Sequence, residues 1–94
     1  MSVIESYKCS DTQALFAGKR VRRFVNIETV AMRKLQLLNA AGTLVFLRIP
    51  PGNRLEALLG KRAGQHSIRI NDQWRVCFVW ANGNVRDVEI VDYH

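Results

Sequence analysis

Asp92, Tyr93 and His94, in "EIVDYH", set a carboxylate, a phenol and an imidazole directly after an apolar run. Such side chains move protons and stack on rings. Two arginines precede them, Arg69 in "HSIRI" and Arg75 in "WRVCFVWA". Carboxylate, imidazole and guanidinium together suit RNA cleavage without a metal. A 2′-hydroxyl attacking its own phosphate needs a general base, an acid for the leaving oxygen and a cation for the growing charge. Asp92 and His94 have the chemistry for the proton work and Arg75 for holding the phosphate. Tyr93 can stack on a base or donate a hydrogen bond. The same residues also permit a plainer reading. Arg75 with Asp92 is then a cross-strand ion pair worth under ~1 kcal/mol, with Tyr93 packed at the sheet edge and His94 in solvent.

For these residues to meet, the second half of the chain must fold as an antiparallel meander. "RLEALL" (54–59), "HSIRI" (66–70), "WRVCFVWA" (74–81) and "VRDVEIVD" (85–92) read as strands, separated by "GKRAGQ", "NDQ" and "NGN". Asn82-Gly83 is a strong hairpin signal. Arg75 lies seven residues before Asn82 and Asp92 nine after Gly83, so the hairpin is expected to bring Arg75 beside Asp92, with Arg69 across the "NDQ" turn. Trp74, Val76, Phe78 and Trp80 alternate onto one face, and Arg75, Cys77 and Val79 onto the other. Val88 and Ile90 share parity with Asp92 and His94. The two tryptophans read as core or, alternatively, as a stacking platform.

The first half is helical. "SVIESYKCS" (2–10) reads as a short strand. "SDTQALFAG" (10–18) reads as a short helix, with Ser10 or Asp11 as N-cap and Gly18 as its stop. "NIETVAMRKLQLLNAAG" (26–42) carries an apolar stripe of Ile27, Val30, Ala31, Lys34, Leu35 and Leu38, with Asn26 available as cap and Gly42 past its end. "TLVFLRIPPGN" (43–53) is a connector broken by Pro50, Pro51 and Gly52. The expected fold is α+β, two helices on one face of a mainly antiparallel sheet, with residues 1–94 as one domain.

Composition fits a globular chain, with 48% hydrophobic and 23% charged residues. The net charge of +6 draws so small a domain toward nucleic acid, an anionic membrane or an acidic partner. Ten of the fourteen cations are Arg, whose fork pairs two-pronged with phosphate. The run "GKRVRR" (18–23) reads equally as a solvated surface or as a contact for RNA or an acidic partner. Cys9 and Cys77 match no metal-ligand spacing and read as reduced thiols. His66 reads as a half-exposed strand residue. No export signal is recognised, and the longest apolar stretch, "VCFVWA", is far too short to span a bilayer, so a cytoplasmic protein is expected.

"PPGNRLEALLGKRAGQHSIRINDQWRVCFVWANGNVRDVEIVDYH" resembles the carboxy-terminal half of HigB-type toxins of the RelE/ParE superfamily, also called plasmid maintenance killer proteins. The resemblance runs from about Leu44 to His94. It is carried by "PPGNRLEAL", "RAGQ.SIRIND.WR", "CF.W" followed by "NG", and the terminal "VEIVDYH". It implies a RelE-like fold, two helices on a twisted antiparallel sheet. It also implies a ribosome-dependent endoribonuclease that cuts mRNA in the decoding site, with no metal or organic cofactor. The implied partner is a helix-turn-helix antitoxin of the HigA type, in a heterotetramer or larger assembly that represses its operon. Carried over by position, Arg75 binds the scissile phosphate, Asp92 and His94 serve in proton transfer or orientation, and Tyr93 contacts the substrate base. Lys61, Arg62 and Arg69 would bind RNA. Many relatives read "LKGDR" where this chain reads "LLGKR", so Leu59 replaces a lysine and Lys61 stands two residues on, at the same strand parity if the strand extends that far. Some relatives carry His at the position of Glu56. Two alternatives stay open: a non-enzymatic toxin like the ParE branch, which poisons DNA gyrase, and a catalytically impaired relative serving as an antitoxin or repressor partner.

Overall fold

The computed structural model describes residues 3–92. Two α-helices come first, α1 (Ser10–Phe16) and α2 (Glu28–Leu38), followed by strands β1 (Glu56–Ala57), β2 (His66–Arg69), β3 (Trp74–Ala81) and β4 (Asn84–Asp92). The strands form one antiparallel sheet in the order β1-β2-β3-β4. The α+β layering and the meander are as the sequence led us to expect. One face of the sheet presents Ile68, Val76, Phe78, Val85, Val88 and Ile90, all almost fully buried. Against them pack Leu15 of α1, Ala31, Leu35 and Leu38 of α2, and Phe24 and Leu47 from the connecting turns. Trp74 and Trp80 border this core, and Phe24 meets Trp74 edge-on at 5.6 Å. Both pack against the core, half-buried, in line with the simpler reading.

The helix caps differ from expectation. Ile27 occupies the N-cap of α2, and no side chain caps it. Burying Ile27 in the core is worth more than an Asn26 cap, because one large aliphatic side chain gains roughly 1.5–3 kcal/mol against about 1 for a cap. At α1 the N-cap is Cys9, again without a side-chain cap bond.

The first strand is also different. Residues 3–8 lie along the outer edge of β4 but pair with it in isolated parallel bridges, Ile4 with Val85 and Tyr7 with Val88, and not as a continuous strand. A bulge in β4 separates these bridges. Between Val79↔Arg86 and Cys77↔Glu89, three residue steps on β4 face two on β3, and Asp87 takes φ 54°. Ser6 holds the bulge, its hydroxyl accepting from the Asp87 N–H at 3.0 Å. The bulge lets Val85 and Val88, of opposite parity, both face the core.

Candidate active site

The sheet face away from the helices carries the charged residues. Arg69 and Arg75 lie directly opposite each other across β2 and β3, where like charges would repel unless each is held by other groups. Arg69 pairs with Asp72 in the turn. Arg75 is held far more completely and is only 8% exposed. Its Nε donates to Ser67 Oγ at 2.8 Å, and its Nη2 donates to the Arg54 carbonyl at 2.7 Å and lies 3.2 Å from Glu56 Oε1. Register explains the cluster, since Glu56 of β1 faces Ser67 of β2, one diagonal step from Arg75. A buried guanidinium survives only when its donors are satisfied. Here neutral acceptors do much of that work, and the Glu56 side chain is half exposed. The result is a fixed, oriented cation with an anion already seated on it from the solvent side.

The Arg54 carbonyl reaches Arg75 because Arg54 adopts the left-handed conformation, φ 44° and ψ 57°. For a residue with a Cβ this costs about 1–2 kcal/mol, so the surrounding structure must enforce it. Sequence reading missed Ser67 and the Arg54 carbonyl, because a serine within a strand and a backbone oxygen after "PPGN" carry no recognisable signal.

Asp92 does not stand beside Arg75 as the hairpin count suggested. The register pairs Trp74 with Asp92 and Arg75 with Val91. Alternation then sets Asp92 and Arg75 on opposite faces at the same end of the sheet. The bulge moves the register by one residue, whereas placing Arg75 directly opposite Asp92 would take a shift of two. Asp92 accepts from Gln73 Nε2 at 3.0 Å. Tyr93 and His94 lie outside the described residues.

The flanking cations also sort differently. β1 ends at Ala57, and Lys61 sits in a 3₁₀ turn, Gly60–Arg62, so it does not continue a strand toward the site. Gly60, at φ +64°, turns the chain there. Arg62 is spoken for, bonding Gln65 at 3.1 Å and Glu89 at 3.2 Å. Leu59 is 86% exposed. His66 stacks on Phe78 at 6.1 Å and is half-buried, as expected of a strand residue. Lys19 and Arg20 of the basic run line a groove of about 550 Å³ with Leu15, Met32 and Arg33, a lining that includes none of the residues around Arg75.

Among the described residues no group of three or more His, Cys, Asp or Glu could hold a metal ion, and no helix is long and apolar enough to cross a membrane.

A family model described as the RelE-like toxin of type II toxin-antitoxin system HigB matches residues 13–94. Toxin HigB-1 of Vibrio cholerae serotype O1 is 50% identical over 58 residues, 62% of this chain and 61% of that protein. An uncharacterized protein of Haemophilus influenzae is 36% identical over 63 residues, 67% of this chain and 62% of that one. The matches thus span less than two thirds of these relatives' own length. Among solved structures, YafQ from Escherichia coli strain BL21(DE3) superposes with a TM-score of 0.54 at 14% identity, over 98% of this chain and 93% of its own. The toxin-antitoxin complex YoeB-YefM from Staphylococcus aureus, a heterotetramer, gives 0.59 at 15% identity, over 100% and 98%. At such identities these two likenesses speak for the fold alone.

Proposed function

The chain belongs to the HigB-like family, the RelE-like toxins of type II toxin-antitoxin systems, and from that membership we propose that it is a ribosome-dependent endoribonuclease that cuts mRNA during translation. The observation that carries the reading is Arg75. Its guanidinium is desolvated, aimed by Ser67 and the Arg54 carbonyl, and already bound to one exposed carboxylate. A phosphate arriving there exchanges one anion for another and meets donors that need not reorganise.

In this reading Arg75 holds the scissile phosphate and stabilises the charge that grows on it. His94 serves in proton transfer, Asp92, on the opposite face from Arg75, serves in orientation, and Tyr93 contacts the base beside the cut. Arg69 lies next to Arg75 and supports the flanking backbone. Lys61 and Arg62, at the far end of the β2 hairpin, contact RNA more peripherally. The chemistry calls for no metal or organic cofactor. The protein works in the cytoplasm, where ribosomes and mRNA are. Its partner is a helix-turn-helix antitoxin of the HigA type. The heterotetrameric YoeB-YefM assembly supports a complex of that order.

The reading is tested by brief induced synthesis of the protein in bacteria, mapping new RNA 5′ ends. Breaks confined to translated reading frames, and absent on co-production of the antitoxin, are the expected result. Growth arrest with intact mRNA and a DNA-damage response would overturn it and point to gyrase.

A further inference from the structure

Asn53, one residue before Arg54, is fully buried, although asparagine is rarely so. Its Nδ2 donates to the Leu47 carbonyl at 3.0 Å, its Oδ1 accepts from Lys34 Nζ, and its backbone N–H donates to the Pro50 carbonyl at 3.0 Å. The amide therefore ties the "PPGN" turn to α2 on one side and to the Val45–Arg48 turn on the other. Lys34 is an odd choice for such a tie. Burial, with the charges of Arg33 and Arg69 beside it, lowers its pKa, and it forms no ion pair with a carboxylate among the described residues. Leu or Met would fit the apolar stripe at lower cost. A lysine is useful at that position because it clamps Asn53.

The next residue, Arg54, holds the left-handed backbone that presents its carbonyl to Arg75. We propose that Asn53, clamped by Lys34, is a positioning residue: it enforces the left-handed turn at Arg54 and so aims the guanidinium of Arg75. Strain at Arg54 and a buried polar clamp beside it are two halves of one device, and none of Lys34, Asn53 and Arg54 belongs to the apolar core cluster. The inference rests on the reading of Arg75 as the phosphate-binding group.

The test combines the Arg75 Nε–Hε resonance with cleavage kinetics, for Asn53→Ala, Arg54→Gly and the double variant. Glycine adopts the left-handed conformation without a clamp. Asn53→Ala should shift or broaden the Arg75 resonance and lower kcat about tenfold or more, with KM little changed. Adding Arg54→Gly should bring both back to the values that Arg54→Gly shows by itself. A generic loss of packing would not be rescued by removing a further side chain. Should Asn53→Ala fail to fold, Lys34→Met, which keeps the Leu47 bond and releases Oδ1, carries the same expectation. An unmoved Arg75 resonance in a folded variant, or a double variant as impaired as the single, overturns the proposal. Should the native protein cut no RNA, the resonance still decides the positioning claim, and the nuclease reading fails separately.

Discussion

Replacing Glu56 by Gln keeps its size and hydrogen-bonding reach but removes the charge that sits 3.2 Å from Arg75 Nη2. If that carboxylate holds the place of a phosphate, Glu56→Gln should bind RNA several-fold more tightly, most visibly at low ionic strength. Fluorescence anisotropy with an RNA blocked by 2′-deoxy substitution measures this, and unchanged affinity would count against Glu56 as a competing anion. The two thiols give a second prediction. Burial pushes the Cys9 thiol up, but the first-turn N–H of Thr12, the Thr12 hydroxyl, the Asp11 N–H and the Arg23 charge outweigh it and bring the pKa below 9.0. Cys77 is fully buried, and that burial raises its pKa. Because the thiolate is what reacts, iodoacetamide should modify Cys9 first, with a half-maximal rate below pH 9.0, while Cys77 stays protected. Mass spectrometry against time and pH reads both. Legibility at this scale was uneven. Arg75 was recognisable from its residue type and family motif. Its holders were not, because they depend on register and on a backbone oxygen.

Among the elements, α1 meets the sheet through the packing of Leu15 and a buried hydrogen bond. Thr12 Oγ1 accepts from the N–H of Ile90 at 3.0 Å, closing the edge of β4 beyond the reach of residues 3–8. Thr12→Val keeps the shape and orphans that N–H, so it should destabilise the fold by about 1–3 kcal/mol. A urea-unfolding midpoint indistinguishable from the native protein's would show that water or a shifted strand takes over. The two helices and strands β2 to β4 were legible, because the alternation in 74–81, the Asn-Gly turn and the stripe of α2 are local patterns, whereas the expected strand at 2–10 is only a pair of bridges and that at 54–59 shrinks to Glu56–Ala57. The bulge was not legible, although Val85 and Val88 hinted at it by breaking parity. Its site at Asp87 depends on Ser6, eighty-one residues away in sequence. The hairpin count put Asp92 beside Arg75, when the bulged register sets them on opposite faces.

For the molecule as a whole, the charge of +6 is carried mainly by arginine, and RNA or ribosome binding should weaken steeply with salt. For single-stranded RNA the logarithmic slope should approach about −0.7 per phosphate neutralised, and Arg69→Ala should flatten it by roughly one such contact. A slope unchanged by that substitution would take Arg69 out of the RNA track. If the Arg75 cluster is the phosphate site of a nuclease, cutting must depend on its guanidinium fork. The most direct measurement is primer extension on a defined mRNA in a reconstituted translation reaction, with native protein and Arg75→Lys, with and without ribosomes. Lysine keeps the charge but cannot bond Ser67 and the Arg54 carbonyl as the fork does. Ribosome-dependent cuts by the native protein are expected, reduced about a hundredfold or more by Arg75→Lys. Full cutting by a folded Arg75→Lys protein, or no cutting by native protein at levels that arrest growth, would contradict that reading of the cluster.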